Sequence, residues 1–499
     1  MAGEDAVGRP GSLAPAVAVP AGGAAGPAAP WAALLVMVTA AFMDLLDGTI
    51  MQVALPAVQR GMHISDAGLQ WTAASYTLAF ALALITSARL GDIVGRKRVF
   101  LAGLAGFVSS SALVAAASSA GMLIGFRAVQ GVAAALMIPH VLAFIQADFG
   151  PAARPKAFAL YGMVLALAGA SGPLAGGLLI QANLAGWGWR TIFVVNIPIG
   201  LAALAAGARL IPPSRRSRTA RLDPVGLLLA TAGLLAVFYP LIEGRQQGWP
   251  GWTFASLTAA VPLLGGLVLR QARQARNGAQ PLADPSLFAS RDTGIGLLVA
   301  LLFFGATSFF FVLTLFLQFG LGYSPLAAGL SFLPFSLGIV AGSGGAAPLG
   351  QKFGGRAVTA GAVVMTLVLL SMIAVIRLAA GQLHGWQLAP SLAVAGLAFG
   401  VVSGTLAGVV LGRVPRARAG AASGVVSTVV QLGSVTAIAV AGAVFFSLLG
   451  KRPDLASYVH ATTGGLAYLA AACAAAAILS LCLRHPPGPA RRPGRRYRC

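Results

Sequence analysis

Charge is scarce in this chain: Asp, Glu, Lys and Arg together make up 9% of 499 residues, and only 12 of those are acidic. With apolar residues at 58% and mean hydropathy at +0.84, that scarcity excludes an ordinary soluble domain, whose surface needs about a quarter charged residues. Cysteine is equally sparse. Cys473 and Cys482 share one apolar stretch and Cys499 ends the chain, so neither a disulfide framework nor a CxxC metal spacing can be assembled. The five histidines, His63, His140, His384, His460 and His485, are scattered without ligand spacing. No GxxxxGK[ST] loop, HExxH pair or Ser/His/Asp signature is present. The expectation is a protein that is not an enzyme and holds no cofactor or metal, drawing any work it does from an ion gradient.

Long apolar runs take the place of these features. Bilayer hydrocarbon is about 30 Å thick, so roughly 20 apolar residues make one helical span. A closed barrel would instead alternate in and out. A window of that length predicts fourteen spans, at 33–56, 69–90, 98–118, 122–146, 157–181, 190–211, 224–242, 252–270, 294–319, 326–349, 356–378, 388–412, 421–449 and 459–483.

The net charge of +22 suggests nucleic acid until the bases are placed. Of 34 Lys and Arg, 27 fall in the tails and the loops that share the N-terminal side, 6 on the other side, and Arg127 alone within a span. Positive residues favour the cytoplasm, so both termini are expected there, and no nucleic-acid partner is implied. Residues 1–30, rich in Ala, Gly and Pro, are read as a disordered cytoplasmic tail, and 485–499 as a basic one. Arginine outnumbers lysine 30 to 4 in an Ala/Gly/Pro-rich background, which points to a bacterial cell membrane.

The chain also repeats itself. LGDIVGRKR from Leu90 and LGQKFGGR from Leu349 share Leu, Gly and Gly at one offset. If these loops follow the second span of each half, the organisation is a six-helix half over 31–211, two inserted helices with linkers over 212–290, and a second six-helix half over 291–484. Parallel repeats with a site near the midplane belong to rocking secondary transporters.

Asp44 and Asp47, in FMDLLDGTI, are the only deep carboxyls. The other ten acids sit in tails, loops or span edges. A charge at the bilayer centre costs about 2.5–3.5 kcal/mol on insertion scales, so two acids there signal function. At i and i+3 they share a helical face about 5–6 Å apart, and a pair so close exchanges protons as a unit. Arg127 is the only deep base, a permanently charged fork that can stabilise a deprotonated carboxyl or simply tie two helices together. Asp92 with Arg96 and Lys97, beyond the second span, suits a gating loop, although bases there also mark topology. Gly172, Pro173, Gly176 and Gly177 let helices approach closely and bend. Trp71, Tyr76, Phe80, Phe311, Gln318, Phe335 and Gln431 are candidates for a substrate cavity by stacking and hydrogen bonding.

Five stretches resemble one family in order. LDGTIMQVALP (Leu46 to Pro56) is similar to the first-span signature LDxTIVNVALP of the fourteen-span drug:proton antiporters of the major facilitator superfamily. ARLGDIVGRKR (Ala88 to Arg98) resembles the superfamily loop GxLxDxxGRKR. LIGFRAVQG (Leu123 to Gly131) resembles the fourth-span signature, SGPLAGG (Ser171 to Gly177) the GPxxGG that marks antiporters, and WGWRTIFVVNIPIG (Trp187 to Gly200) the sixth-span start. Gln52 departs from the usual Asn, and Gln351 from the acid often found in the second-half loop. The resemblance implies an all-α membrane fold and proton-coupled efflux of drugs, antibiotics or other apolar or cationic compounds. It implies proton coupling at Asp47, Asp44 and Arg127, with Asp47 favoured because it falls on a motif position, a gate at Asp92 and Gly95, and an antiporter seal at Gly172 to Gly177. The expected partners are a small-molecule substrate, protons and the bilayer, in a monomer. The alternatives are a dedicated exporter of one self-made antibiotic, a proton-coupled importer and, remotely, a non-transporting sensor or scaffold.

Overall fold

The computed structural model describes residues 29–214, 222–277, 290–379, 382–411, 419–450 and 453–483. The two expected tails, and the bases between 215 and 221 and between 413 and 418, lie outside the described residues. Among these residues thirteen helices are long and apolar enough to cross a membrane, and a fourteenth is bent by 50° between Leu84 and Thr86. The second predicted span is therefore a broken one.

Span 1 covers Ala29–Met62, span 2 Asp66–Val94, span 3 Arg96–Ala115, span 4 Ala120–Asp148, span 5 Arg154–Ala182 and span 6 Gly188–Leu210. Spans 7 and 8 are Pro224–Glu243 and Gly251–Arg276. Span 9 is Arg291–Gly320, span 10 runs through Pro325–Ser331 and Leu333–Phe353, and span 11 is Gly355–Leu378. Spans 12, 13 and 14 are Ala389–Leu411, Ala419–Leu449 and Leu455–Leu481.

Local chemistry sets several of these limits. Ser65, Ser119, Ser324, Asp223 and Asp454 each cap a helix start by accepting a backbone N–H within the first turn. Span 4 breaks after Ala135 because Pro139, at the start of the continuing helix, brings no N–H to the ladder. Span 9 ends in a π-helical turn, Phe316–Gly320, which carries Gln318.

Spans 1 to 6 pack chiefly as 1 on 5 and 6, 2 on 4, and 3 on 4 and 6. Spans 9 to 14 pack as 10 on 12, 11 on 12 and 14, and 9 on 13 and 14. The repeated loops have one geometry: Gly95 (φ 108°) and Gly354 (φ 52°) end spans 2 and 10 in conformations that L side chains rarely adopt, each bonding its N–H back to Gly91 or Gly350. In the same pattern Gly91 lies against His140 of span 4, and Gly350 against Thr405 of span 12.

Between the two groups, span 2 meets span 13, span 5 meets span 10, and span 1 meets span 9. These meetings gather toward the end of the molecule opposite the termini. A Cβ on Gly442 would strike the Gln70 side chain, one on Gly177 would come within 2.6 Å of Leu326 Cα, and Gln318 Nε2 donates to the Val53 carbonyl at 2.8 Å.

Candidate functional site

Span 5 presses its glycines onto span 1 at Thr49 and Ile50, where Gly176 would place a Cβ only 3.1 Å from the Ile50 carbonyl. Gly131 of span 4 lies bare against the Tyr76 carbonyl of span 2, so those helices touch backbone to backbone. Both close approaches converge on the segment carrying Asp44 and Asp47.

Asp47 is 3% exposed and Arg127 1%, and the Arg127 guanidinium donates directly to Asp47 Oδ2. Gln130 Nε2 donates to Asp47 Oδ1 at 3.0 Å and Asn196 Nδ2 to the same oxygen at 3.1 Å. Gln130 also accepts from Arg127 at 2.8 Å and donates to Ser111 Oγ at 2.9 Å. The guanidinium lies 4.4 Å over the Tyr76 ring and 5.7 Å from that of Phe193. A buried ion pair is stable only when its remaining lone pairs and protons are met, and here donors from spans 4 and 6 meet those of Asp47.

Asp44, one turn earlier, is placed differently. It is half-buried, accepts a hydrogen bond from the Tyr76 hydroxyl, and lines a cavity of about 160 Å³ with Gln52, Tyr76, Thr77, Arg127, Ser308 and Gln431. Spans 1, 2 and 4 supply one wall and spans 9 and 13 the other. A larger groove of about 450 Å³, around Leu349, Arg356 and Leu397, opens outward through exposed Phe353 and Val394. It is nearly all apolar and remote from every buried ionisable pair, so the chemistry belongs to the smaller hollow.

The other candidates divide. Of the seven cavity residues expected from sequence, Tyr76 and Gln431 line it. Phe80 instead stacks on Tyr76 with centroids 6.3 Å apart, and Trp71 turns to span 7, donating to Glu243 Oε1 at 3.0 Å. Phe311 and Phe335 are buried among aromatic rings, against Phe446 and against Phe309, Phe310 and Phe399 respectively, and Gln318 joins span 1. Asp92 pairs with Arg96 at 3.7 Å in an exposed setting; the Arg96 N–H donates to Ser214 Oγ at 2.7 Å and Lys97 Nζ to the Ala208 carbonyl at 2.8 Å. That loop is thus tied to the end of span 6. Gly172 and Gly176 face span 1, Gly177 faces span 10, and the Pro173 carbonyl packs on Gly329 of span 10. Sequence reasoning missed Gln130 and Asn196. Both stood inside quoted motifs, RAVQG and VVNIPIG, as amides in apolar helices.

Among the described residues no cluster of His, Cys, Asp or Glu could hold a metal ion. The Major Facilitator Superfamily profile matches residues 37–438. A protein of Streptomyces coelicolor named "Probable actinorhodin transporter" is 42% identical over 438 residues, 87% of this chain and 76% of that one. The puromycin resistance protein of Streptomyces alboniger is 37% identical over 82% of this chain and 80% of its own length, and the tetracenomycin C resistance and export protein of Streptomyces glaucescens 32% over 84% and 77%. Among solved structures, the POT family transporter PepTSo superposes with a TM-score of 0.65 at 16% identity over 90% of this chain and 97% of that one. A D-xylose-proton symporter superposes at 0.62 and 14% over 88% and 96%. At such identity these two speak for the fold alone. With the motifs, the matched profile and these relatives in agreement, the chain belongs to the major facilitator superfamily, in its drug:proton antiporter branch.

Proposed function

We propose that the protein exports drug- or antibiotic-like molecules across a bacterial cytoplasmic membrane, with both termini in the cytoplasm, in exchange for protons. The observation that carries this reading is the division of labour between two acids one turn apart. Asp47 is locked to Arg127, Gln130 and Asn196, whereas Asp44 faces a cavity shared by both groups of helices and has Tyr76 as its hydrogen-bond donor. Asp44 is the carboxyl that exchanges a proton with the cavity. Asp47 holds Arg127 beside it as a fixed counter-charge, and the two acids respond as a pair.

Export follows if the two six-helix halves, 31–211 and 291–484, rock about this cavity. The contacts of spans 2 with 13 and 5 with 10 join the halves at the end opposite the termini, which supports reading this arrangement as the one that faces the cytoplasm. Substrate entering from that side meets an ionised Asp44, and its departure outside leaves Asp44 to take up a proton. One charge crossing 100 mV supplies about 2.3 kcal/mol, a bias of roughly fiftyfold per proton. The named activities of the relatives, actinorhodin transport, puromycin resistance and tetracenomycin C export, favour antibiotic-like cargo.

Inside-out vesicles with an acidic lumen test this. Adding a transported compound should release protons from the lumen; added uptake of protons would indicate an importer, and no change with any compound of a susceptibility panel would sink the exporter reading.

A further inference from the structure

The cavity is unusual in what its polar groups leave unused. Thr307 spends its hydroxyl proton on the Phe304 carbonyl at 2.8 Å, Ser434 on Val430 at 3.4 Å and Ser308 on the Ser434 carbonyl at 3.3 Å. Tyr76 is engaged with Asp44, and Arg127 with Asp47 and Gln130. Three side chains remain, the Thr77 hydroxyl and two carboxamides. Gln52 Oε1 is buried without a hydrogen-bond partner, and the Gln431 amide makes no hydrogen bond among the described residues. Gln52 Oε1, buried without a partner, carries a desolvation penalty of about 1–3 kcal/mol, which a ligand that completes it recovers, whereas Gln431 is half-buried. One amide comes from span 1 and the other from span 13, on opposite walls.

The remaining lining sets the shape of that ligand. Gly48 lines the cavity with nothing within 4 Å of the place a Cβ would occupy, so bare backbone borders open space. Leu45, Met51, Ala73 and Ile438 flank it with apolar surface. In a hollow of about 160 Å³ that surface suits the face of a single ring. The deep charged groups are Asp44, Asp47 and Arg127, so the site that a substrate meets with Asp44 ionised carries one net negative charge.

Resting on the export reading and deepening it, we propose that Gln52 and Gln431 are the specificity-determining residues of this cavity, reading a substrate whose ring bears hydroxyl and carbonyl groups. Each carboxamide offers a donor and an acceptor, and a hydroxylated ring carbonyl returns both. Because the pair straddles the two halves, the same contacts that recognise the substrate link the surfaces that must move. A lipophilic cation makes no use of the amides and depends on Asp44 alone.

The purified full chain should be titrated with three probes, followed by their fluorescence or absorbance: the polyhydroxylated flavonol quercetin, its unhydroxylated parent flavone, and ethidium. Native protein should bind quercetin at least about tenfold more tightly than flavone, as expected for two amide hydrogen bonds. Gln52→Met and Gln431→Met keep length and volume, and each should weaken quercetin by roughly five- to tenfold while leaving flavone and ethidium within about twofold. Should Gln52→Met, the more enclosed position, fail to give a monodisperse protein, Gln431→Met carries the test. Flavone binding native protein as tightly as quercetin, or quercetin indifferent to Gln431→Met, overturns the proposal. The outcome is separable from the export reading: selective quercetin binding without proton release in vesicles overturns proton exchange and leaves the amide pair standing. Proton release with no preference for hydroxylated rings does the reverse.

Discussion

At the scale of single residues, the two aspartates of FMDLLDGTI have unequal surroundings, and this makes opposite predictions for their amide variants. Asp47→Asn removes the counter-charge of a nearly inaccessible arginine, so purified protein should lose about 3–5 kcal/mol of stability, seen as a large fall in thermal midpoint. Asp44→Asn keeps a group that Tyr76 can still donate to, so its thermal midpoint should hold while coupled proton movement is lost. Equal destabilisation by the two would contradict the separate roles. Both acids and Arg127 were legible in the sequence, because a charge in an apolar run has no cheap alternative. The motif favours Asp47 for proton coupling, whereas we favour Asp44 on its place at the cavity; that placement was not legible, because it depends on Gly131, Gly172 and Gly176 bringing spans 4 and 5 against their neighbours. Gln130 and Asn196 escaped for a related reason: an amide in a helix of this kind reads as generic glue until its partner is located.

At the scale of elements, the glycines of span 5 divide between two tasks. Gly172 and Gly176 seat span 1, whereas Gly177 and the Pro173 carbonyl meet span 10 across the divide between the halves. Gly177→Val would force a side chain onto Leu326, whose backbone cannot yield as a flexible tip would, and should hold the far end open. Spin-label distances between the far ends of spans 5 and 10 should widen, and export should fall. An unchanged distance would show that this seam does not close the molecule.

The inserted pair is tied to both halves at one end and to itself at the other. Near the far end Arg245 reaches Asp66 of span 2 at 2.5 Å and the Phe446 carbonyl of span 13 at 2.9 Å, and so touches both halves. The pair is partly exposed, so Arg245→Gln should shift the closed arrangement by no more than about 1 kcal/mol, up to roughly fivefold in population. At the other end Asp223 receives Arg270 Nε at 2.9 Å, Gln271 Nε2 at 3.0 Å, Gln274 Nε2 at 2.9 Å and the Gly226 N–H at 2.9 Å. Burial by itself would raise its carboxyl, but these donors outweigh it and hold the carboxyl down to about 2 from its ordinary 3.8. A carboxyl depressed in the folded state stabilises above its unfolded value, and that contribution fades as pH falls from 3.8 toward 2. The thermal midpoint of native protein should therefore drop through that window, and Asp223→Asn should lack that component. The sequence placed spans 7 and 8 correctly by hydropathy. It could not show these ties, because every partner except Gly226 lies at least 47 positions away along the chain.

At the scale of the whole molecule, fourteen apolar runs, one of them broken, and a repeated loop were sufficient to define the architecture. Helix periodicity and span length are local properties, and the glycines ending spans 2 and 10 repeat because only that residue tolerates the turn. The cavity was less legible. Five of the seven expected lining residues point elsewhere, since an aromatic in a membrane helix has lipid, a neighbouring ring or a hollow as equally apolar destinations. Alternating access joins the scales: an exchangeable Asp44 matters only if the halves reopen on the other side.

The most direct test is substrate-evoked proton release from acid-loaded inside-out vesicles, comparing native protein with Asp44→Asn at matched folded amounts. Native protein should release protons on addition of a transported compound. Asp44→Asn should release none while still binding that compound. Proton release persisting in Asp44→Asn at the native rate would contradict the assignment of the exchangeable proton to Asp44.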